Sequence, residues 1–421
     1  MKKEHFYDRI MSSRIVSVLT LSVLAFVFCC TITSDVTYAK QEKVYLACID
    51  DFSGPFAYSG KAYLQGIQLA LKDANYTVLG KKIELVTRDT ELKPPVGVRK
   101  LREVVQKYHP FFVFQSESSS VGLAVEQEAL NLKTPIFVEG FATQITGKEC
   151  NRYTFRWDAP NYAGARSGLT AFMELYPKAK TFYAITMDNA SGNDMTEQQR
   201  AIIEAAGGKI IKNTVTPIKT ADFSSILTEV LSLKPDALIF NQYGTGNMNC
   251  SKQVHEFGIP KKMPVYSGFG GLTMFRGMPP TAPEGIIYGV NWWHTTDNAW
   301  SKEFTEKYRK EYGDIPSFIS ASGYIGAWLV LQAAERAKSL KAKNLIIELE
   351  RFGMFDGPSG KEYLRPWDHQ IVHPFLVGKG KPVKDKRYDD DFLEVVGSAT
   401  VYHNSTPGES DCVFKIKDED L

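Results

Sequence analysis

The chain has 421 residues and is close to electrically neutral, with 50 Lys and Arg residues against 48 Asp and Glu residues and a formal net charge of +2. Charges spread evenly along the sequence do not form the basic stripe that a phosphate backbone requires, which excludes nucleic acid as an expected partner. The length exceeds what one hydrophobic core normally supports, and we therefore expect two domains.

The first residues have the pattern of an export signal. Four basic residues precede an apolar run from Ile15 to Cys30, and Thr37-Tyr38-Ala39 resembles a small-residue cleavage site. The run is shorter than the roughly 20 apolar residues that a membrane-spanning helix needs, and no comparable stretch follows. The sequence thus predicts a signal peptide over residues 1–39, cleaved near Ala39, and an exported, periplasmic protein without direct membrane insertion.

The cysteines that follow the predicted cleavage site are not spaced as metal ligands usually are. They are Cys48, Cys150, Cys250 and Cys412. A zinc site is not expected, whereas an oxidising compartment would allow one or two disulfides. Cys48 lies in a predicted buried strand, where a small inert side chain is the commoner role, and the pairing stays open.

The segment directly after the signal alternates strands and helices. A predicted strand Val44–Asp50 runs through the Gly/Pro turn Asp51–Gly60 into a helix from Ala62 to Asn75. The next predicted elements are the strand Ile83–Thr87, a helix opened by Pro94-Pro95, and the strands Phe111–Phe114 and Pro135–Val138. This order predicts a parallel α/β domain whose strand-to-helix turns lie at the carboxyl edge of the sheet, where such domains bind ligands.

The alternation restarts after Tyr153–Trp157 and predicts a second α/β domain from about Asp158. Its predicted elements are helices at 162–176, 193–206 and 223–233 and strands at 181–186, 209–215 and 237–240. The later pattern is less regular, with a strand at 285–290, helices at 299–312 and 320–338, and an apolar segment at 392–401. We expect the chain to cross between the domains there and to end in a loosely attached tail.

An ordered set of short segments resembles one known family. The segments are Gly54-Pro55-Phe56-Ala57 with Gly60 and Gly66, Ser118-Ser119-Ser120, Thr154-Phe155-Arg156, Asp222-Phe223-Ser224, and Gly357-Pro358-Ser359-Gly360 with Arg365 and Asp368-His369-Gln370. Their order, over about residues 43–380, resembles the leucine/isoleucine/valine-binding protein family. Members of that family are the periplasmic solute-binding receptors of branched-chain amino-acid-type ABC importers.

The resemblance implies an α/β fold of the type I periplasmic binding protein class, with two Rossmann-like lobes joined by a three-segment hinge and a ligand cleft between them. Lobe 1 would comprise residues 43–157 and about 290–350, lobe 2 residues 158–289 and about 351–385, and residues 386–421 a C-terminal extension. The family further implies a monomeric receptor rather than an enzyme. Such a receptor needs no cofactor, binds a small carboxylate by cleft closure and delivers it to a membrane permease.

The resemblance also places candidate ligand-binding residues on this sequence. Ser118, with Ser119 beside it, matches the family's serine segment and is expected to bind the ligand carboxylate. A serine at a helix start offers its hydroxyl next to unpaired backbone N–H groups, although a simple helix N-cap is the alternative role. Gly140, Phe141 and Thr143 follow a predicted strand, in the loop where the family places backbone and threonine contacts.

Two aromatic side chains are expected to cover the ligand from opposite lobes. Tyr243 follows the predicted strand Ala237–Phe240 and matches the tyrosine of a family Gly-Gly-Tyr segment. Tyr58, on the first turn, would close over the ligand from lobe 1, with Phe56 or Ser59 as near alternatives. The other interpretation of Tyr58 is a surface aromatic in a turn.

Two positions depart from the family where a ligand ammonium group would be bound. Phe269 stands where the family commonly supplies a glutamate, and Asn161 where many relatives carry an aspartate. A desolvated ammonium needs an acidic acceptor, so two alternatives stay open. Either Asp188, Glu139 or Glu117 replaces the missing acids, or the ligand has no ammonium group and is an apolar or aromatic carboxylate. Aromatic residues at predicted loop positions favour the second alternative, unless they pack in the core or hinge.

Enzyme motifs are weak in this sequence. Gly244-Thr245-Gly246 has Asn249 where a dinucleotide-binding fingerprint needs its third glycine, and no Gly-x-Ser-x-Gly elbow occurs. His369 and His373 have a helical metal-ligand spacing, but Pro374 follows directly, which favours a surface turn. We therefore favour a transport receptor over two alternatives, a periplasmic sensor for a membrane signalling partner and a periplasmic amide or ester hydrolase.

Overall fold

The computed structural model describes residues 42–399 and 411–421. The predicted signal peptide, residues 1–39, and part of the predicted C-terminal extension lie outside the described residues. No helix in the described ranges is long and apolar enough to cross a membrane.

The first sheet is mostly parallel and is buried on both faces. Its spatial order is Thr77–Val78, Lys81–Asp89, Lys43–Asp50, Phe112–Glu117, Ile136–Gly140 and Thr154–Phe155, and only the first pair is antiparallel. In the central strand, Leu46 and Cys48 pack into one hydrophobic cluster, and Ala47 and Ile49 pack into another. Burial on both faces explains why this strand reads as a continuous apolar run.

Helices cover this sheet, and we call the sheet with its helices lobe 1. They are Ala57–Asp73, Pro94–Tyr108, Ser119–Asn131, Ala299–Tyr312, Phe318–Ala337 and Ala342–Glu350. The helix Phe318–Ala337 lies so close to the helix Ala57–Asp73 that a Cβ on Gly66 would come within 2.0 Å of the carbonyl oxygen of Ser320. The late part of the chain therefore returns to pack on lobe 1.

The second sheet, which with its helices forms lobe 2, has two antiparallel strands added to a parallel core. Its spatial order is Leu393–Ala399, Phe375–Gly380, Ile287–Val290, Val265–Ser267, Ala237–Asn241, Thr181–Met187 and Lys209–Thr216. Its helices are Asn161–Gly164, Thr170–Leu175, Ala190–Ala205, Ser224–Leu233, Gly244–Glu256 and Leu272–Arg276, with a π-helical segment Ala165–Leu169 between the first two. The lobe boundaries predicted from the sequence stay a prediction.

The end of the chain is attached more firmly than its composition indicates. The strand Leu393–Ala399 pairs with Phe375–Gly380, so most of the apolar segment at 392–401 is part of the lobe 2 sheet. A disulfide joins Cys150 of lobe 1 to Cys412, which resolves the open pairing, while Cys48 and Cys250 are buried free thiols.

In the described range, the chain passes between the lobes near Asp158, Asn291 and Gln370, which gives a three-segment hinge. A small antiparallel sheet, Gly353–Gly357, Gly360–Leu364 and Ile371–Val372, precedes the last crossing. Arg156 and Gln370 form a parallel bridge between two of the crossing segments. Segments that are far apart in sequence are thus held side by side at the base of the cleft.

Two helices begin earlier than the apolar pattern predicts. The first starts at Ala57 rather than Ala62, because the short 3-10 turn Gly54–Phe56 leads directly into it. The helix Ala190–Ala205 starts before the predicted Asn193, since the Asn189 side chain caps it by accepting from the backbone N of Gly192 at 2.7 Å. The earlier starts move both helix N-termini towards the cleft.

Candidate ligand-binding cleft

Aromatic side chains from both lobes meet at the carboxyl ends of the parallel strands. Phe56 comes from the first turn of lobe 1 and Phe141 from the loop after Ile136–Gly140, and they face Tyr243 and Phe269 of lobe 2. Ring centroids are 5.2 Å apart for Phe56 and Tyr243, 5.4 Å for Phe141 and Phe269, and 5.8 Å for Phe141 and Tyr243. These rings form an apolar contact across the cleft.

A small cavity lies against this ring cluster. Its empty volume is about 280 Å³, which includes space open to solvent. Its rings are Phe141, Tyr243, Phe269, Phe318 and Phe375. Among the described residues, the cavity is also lined by two amide side chains, Asn161 and Asn291, and by no charged side chain. Glycine, alanine, proline and methionine residues form the rest of the wall.

Two polar atoms in residues of the cavity wall have no hydrogen-bond partner within the part of the chain that the structure describes. Asn161 donates through Nδ2 to the carbonyl oxygen of Ser191 at 2.8 Å, and its Oδ1 is unpaired. Asn291 accepts from the backbone N of Ala159 at 3.2 Å, and its Nδ2 is unpaired. Leaving such a buried group unpaired costs about 1–3 kcal/mol, which makes the two amides candidates for contact with a ligand.

Polar contacts between the lobes surround the same cavity. The backbone N and Oγ1 of Thr143, in lobe 1, both donate to Oδ2 of Asp194, in lobe 2, at 2.8 Å. The backbone N of Asn161 donates to the carbonyl oxygen of Phe141 at 2.7 Å, also across the cleft. The backbone N of Ala190 donates to Ser120 Oγ at 3.2 Å. The lobes are therefore in direct contact around the candidate site.

The predicted serine and glycine residues shape the loop rather than line the cavity. Ser118 Oγ accepts from the backbone N of Val121 at 3.4 Å, which is the N-cap that the sequence left as its alternative role. Ser119 Oγ accepts from the backbone N of Ala142 at 3.0 Å. A Cβ on Gly140 would lie 2.8 Å from Cα of Ser119, so glycine is needed for this approach. These residues position Phe141 and Thr143 at the cleft.

Neither Asp188 nor Glu139 lines the cavity. Asp188 is exposed, and its backbone N donates to the carbonyl oxygen of Thr216. Glu139 is buried and accepts from the backbone N of Trp157 and of Asp158, both at 2.8 Å, while burial raises its pKa to about 7. It therefore holds the hinge. The side chain of Glu117 lies outside what the structure describes.

The first turn of lobe 1 contacts the other lobe through Phe56. Phe56 is buried against Tyr243, and a Cβ on Gly244 would come within 2.7 Å of the Phe56 ring. Tyr58 is half-buried, and neither Tyr58 nor Phe56 is among the residues that line the cavity. Phe56, which the sequence analysis named as an alternative to Tyr58, therefore lies at the contact between the lobes.

The two histidines are buried in the hinge and are not in a surface turn, so that interpretation was wrong. His369 stacks on Phe155 with ring centroids 4.0 Å apart, and His373 stacks on Trp157 at 4.4 Å. Burial lowers the pKa of His373 to about 4. The described residues contain no group of three or more His, Cys, Asp or Glu side chains that could hold a metal ion.

Sequence reasoning missed several wall residues. Asn291 directly follows the strand Ile287–Val290, so the rule that ligands bind beyond the carboxyl ends of strands could have found it. Phe318 opens a helix of lobe 1, and Phe375 opens a strand that crosses back into lobe 2. Their positions depend on the return of the chain between lobes, which no local pattern indicates.

Comparisons with known proteins agree with this architecture. A family model described as periplasmic binding protein matches residues 43–387. The Leu/Ile/Val-binding protein homolog 7 of Brucella abortus (strain 2308) is 25% identical over 308 residues, which cover 69% of this chain and 76% of that protein. The resemblance to the leucine/isoleucine/valine-binding family is thus confirmed.

Solved structures confirm the fold. The amino acid ABC transporter substrate-binding protein of Pseudomonas fluorescens Pf-5 superposes with a TM-score of 0.82 at 27% identity, covering 89% of this chain and 99% of that one. A solute binding protein of an ABC transporter from Rhodopseudomonas palustris BisB5, solved in complex with 3,4-dihydroxy benzoic acid, has a TM-score of 0.76 at 24% identity and covers 85% of this chain and 97% of that one. The second likeness is one of fold alone.

Proposed function

We propose that this chain, which belongs to the periplasmic binding protein family, is an extracytoplasmic receptor that supplies a small ligand to an ABC importer. The proposed ligand is a small carboxylate, either an amino acid or an apolar or aromatic carboxylate. The proposed partner is the membrane permease of a branched-chain amino-acid-type importer, and the receptor acts as a monomer. The observation that carries the ligand class is the uncharged, ring-lined cavity between the two sheets.

Walls from both lobes couple binding to closure. Phe141 and Phe318 belong to lobe 1, whereas Tyr243, Phe269 and Phe375 belong to lobe 2. A ligand that touches both sets binds the closed form more tightly than the open form, and it shifts the population by that difference. Recognition of the closed form by the permease would turn binding into delivery.

The amide pair supports a ligand with a polar head on an apolar body. Nδ2 of Asn291 can donate to a carboxylate oxygen, and Oδ1 of Asn161 can accept from an ammonium N–H. An amino acid satisfies both atoms, whereas a carboxylate without an ammonium group satisfies only the first. The names of the Brucella and Pseudomonas relatives favour the amino acid, and the neutral residues at Asn161 and Phe269 favour the second ligand type.

A thermal-shift screen tests the proposal on the mature protein after unfolding and refolding, which removes carried-over ligand. The compounds are branched-chain and aromatic amino acids, the corresponding deaminated carboxylates, and simple amides as neutral controls. A ligand at one hundred times its Kd adds about 2.7 kcal/mol of stability, enough for a clear rise in Tm. We expect carboxylates to raise Tm and amides to leave it unchanged. The proposal fails if no carboxylate shifts the melt, or if NMR detects conversion of a bound compound to product.

A further inference from the structure

A disulfide fastens residues 411–421, which we call the terminal segment, to lobe 1. Cys412 is bonded to Cys150, which precedes the strand Thr154–Phe155. Burial alternates along the segment: Cys412, Phe414 and Ile416 are buried or half-buried, whereas Val413, Lys415 and Lys417 are exposed. A period of two is typical of an extended chain that has one face docked. The terminal segment therefore lies on the rest of the protein through its even-numbered side chains.

The docked face of the terminal segment contacts the hinge. The ring of Phe414 lies 4.6 Å from the ring of His369, centroid to centroid, and His369 in turn stacks on Phe155 at 4.0 Å. His369 belongs to the third crossing between the lobes, next to Gln370, and Phe155 ends the strand that leads into the first crossing. The three rings thus join the terminal segment to two crossings of the chain.

Ionic contacts hold the end of the segment beside the same histidine. Arg152 donates through Nε and Nη2 to the carboxylate of Glu350 at 2.7 and 2.8 Å, and its Nη2 lies 2.6 Å from Oδ1 of Asp418. Nε2 of His369 lies 3.1 Å from the same Glu350 carboxylate. The side chain of Arg152 is only 10% exposed, so these contacts are screened less than those of an ordinary surface ion pair. The terminal segment therefore adds a carboxylate to a network that the hinge histidine shares.

The contacted histidine lies between two backbone hydrogen bonds that join the crossings. The backbone N of Arg156 donates to the carbonyl oxygen of His369 at 3.1 Å, and the backbone N of Ile371 donates to the carbonyl oxygen of Arg156 at 2.8 Å. His369 itself is fully buried. Loss of the Phe414 ring would expose His369 and let water compete for the bonds beside it. The terminal segment consequently has the position of a brace on the hinge.

We propose that the terminal segment braces the hinge and that the disulfide between Cys150 and Cys412 is its redox-controlled fastening. Reduction by a dithiol transfers two electrons and two protons to the bonded pair and leaves two thiols, while the dithiol becomes a disulfide. The segment then keeps only its noncovalent contacts and loses the high effective concentration that the covalent bond provides. The oxidation state of one cysteine pair thereby sets the stiffness of the hinge.

The brace has a consequence for binding, and this step rests on the proposed function. A looser hinge lets the two lobes sample more relative orientations, and a ligand that contacts both lobes must restrict that freedom when it binds. Release of the terminal segment should therefore weaken the affinity of the receptor. Among the described cysteines, Cys48 and Cys250 are buried free thiols, so a reductant has a single disulfide to act on there.

Amide hydrogen exchange, followed by mass spectrometry of peptides, tests the brace without a ligand. In Phe414→Ala and in wild type reduced with dithiothreitol, we expect the peptides that contain Arg156 and Ile371 to exchange about tenfold faster, and the lobe 2 strand Thr181–Met187 to change by a smaller factor. Val413→Ala truncates the exposed neighbour on the same segment and should change neither region. Unchanged exchange at the hinge overturns the proposal, as does an equal rise in lobe 2, which reports a global loss of stability.

Calorimetry with the tightest carboxylate from the thermal-shift screen tests the effect on binding. The affinity should be about fivefold weaker in Phe414→Ala, in the double variant of Cys150→Ser with Cys412→Ser, and in the reduced wild type, and unchanged in Val413→Ala. Phe414→Tyr keeps the ring and should retain both the affinity and the protection of the hinge amides. Equal affinities in all these proteins overturn the control of binding by the disulfide. If no carboxylate binds, the proposed function fails, and hydrogen exchange alone decides whether the terminal segment braces the hinge.

Discussion

The hinge and the cavity both lie between the two sheets, but they differ in the polar groups that they contain. Arg156, in the hinge, donates to Oε1 of Gln370 and to the carbonyl oxygens of Gly140 and Ala142 at 2.7–2.8 Å, and also to Oγ1 of Thr146. In the cavity wall, Asn161 and Asn291 each leave one atom without a partner within the described ranges. Buried polar groups are normally satisfied. Among the described residues, unpaired buried atoms also occur in the hinge, at Glu139 Oε1 and Ser359 Oγ, so hydrogen-bond pairing alone does not separate the two regions.

Charge does separate the two regions. The hinge contains buried ionisable groups, and burial lowers the pKa of Arg156 to about 10 and raises the pKa of Glu362 to about 8. The described cavity wall contains no charged side chain. Perturbed pKa values often mark functional sites, but here they mark a structural network. Mutations in the hinge should therefore change stability, and mutations in the cavity should change affinity.

Arg156→Ala should give the largest loss of stability. The change leaves two backbone carbonyls, Gln370 and Thr146 without their buried donor, and removing one partner from such a network costs roughly 3–5 kcal/mol. Urea denaturation followed by circular dichroism measures it. The matched control, Arg200→Ala, removes a half-exposed arginine whose surface ion pair should be worth less than about 1 kcal/mol. Equal losses for the two variants would contradict the special role of the hinge.

Glu362→Gln should change how stability depends on pH. The carboxylate of Glu362 accepts from Nε1 of Trp157 at 2.6 Å and from the backbone N of Ser359 at 2.7 Å, but burial dominates and raises its pKa to about 8. A carboxyl group whose pKa is 4.5 in the unfolded chain and about 8 in the folded protein contributes its full stabilisation below pH 4.5. This stabilisation of the folded state is lost as the pH rises through 8.

The variant cannot ionise, so its stability relative to the wild type should increase by up to a few kcal/mol between pH 5 and pH 9. Urea midpoints at several pH values measure the slope. Glu306→Gln, at an exposed position, serves as the control and should run parallel to the wild type. Parallel slopes for Glu362→Gln as well would mean that Glu362 is ionised throughout this range in the folded protein.

Asn291→Ala tests whether the cavity wall contributes to affinity more than to stability. The affinity for the ligand should fall about tenfold, because one hydrogen bond to a charged group is lost, whereas the free energy of unfolding should fall by only about 1 kcal/mol with the contact to Ala159. Calorimetry and urea denaturation on the same sample separate the two effects. Asn193→Ala, at an exposed position, is the control. A large loss of stability without loss of affinity would place Asn291 with the hinge.

The fold could be predicted largely from local pattern. Alternating apolar strands and capped helices gave both α/β domains, because each signal depends on residues close in sequence. The returns of the chain could not be located in this way. The helix Phe318–Ala337 packs against the helix Ala57–Asp73 of lobe 1, which is far away in sequence, and only tertiary packing determines this contact.

The candidate site was predicted in part, for a related reason. Phe141, Asn161, Tyr243 and Phe269 follow strands or open helices at the carboxyl edges, so topology brings them together in the structure as expected. Whether they bind ligand stays a prediction. Asp194 lies within a helix, with no sequence signal of its contact to the other lobe, because that contact depends on how far the cleft closes.

Ser118→Ala should have the smallest effect and decides between two roles. The family resemblance assigns Ser118 to the ligand carboxylate, whereas the geometry makes it the N-cap of the helix Ser119–Asn131 through a long contact to Val121. Loss of such a cap costs about 0.5–1 kcal/mol, and we expect this loss of stability with an unchanged affinity. Asn298→Ala, which removes another helix cap, provides the stability reference. A tenfold loss of carboxylate affinity in Ser118→Ala, without such a loss in Asn298→Ala, would instead show that the serine hydroxyl reaches the ligand. The ligand site would then extend further into lobe 1 than the cavity wall indicates.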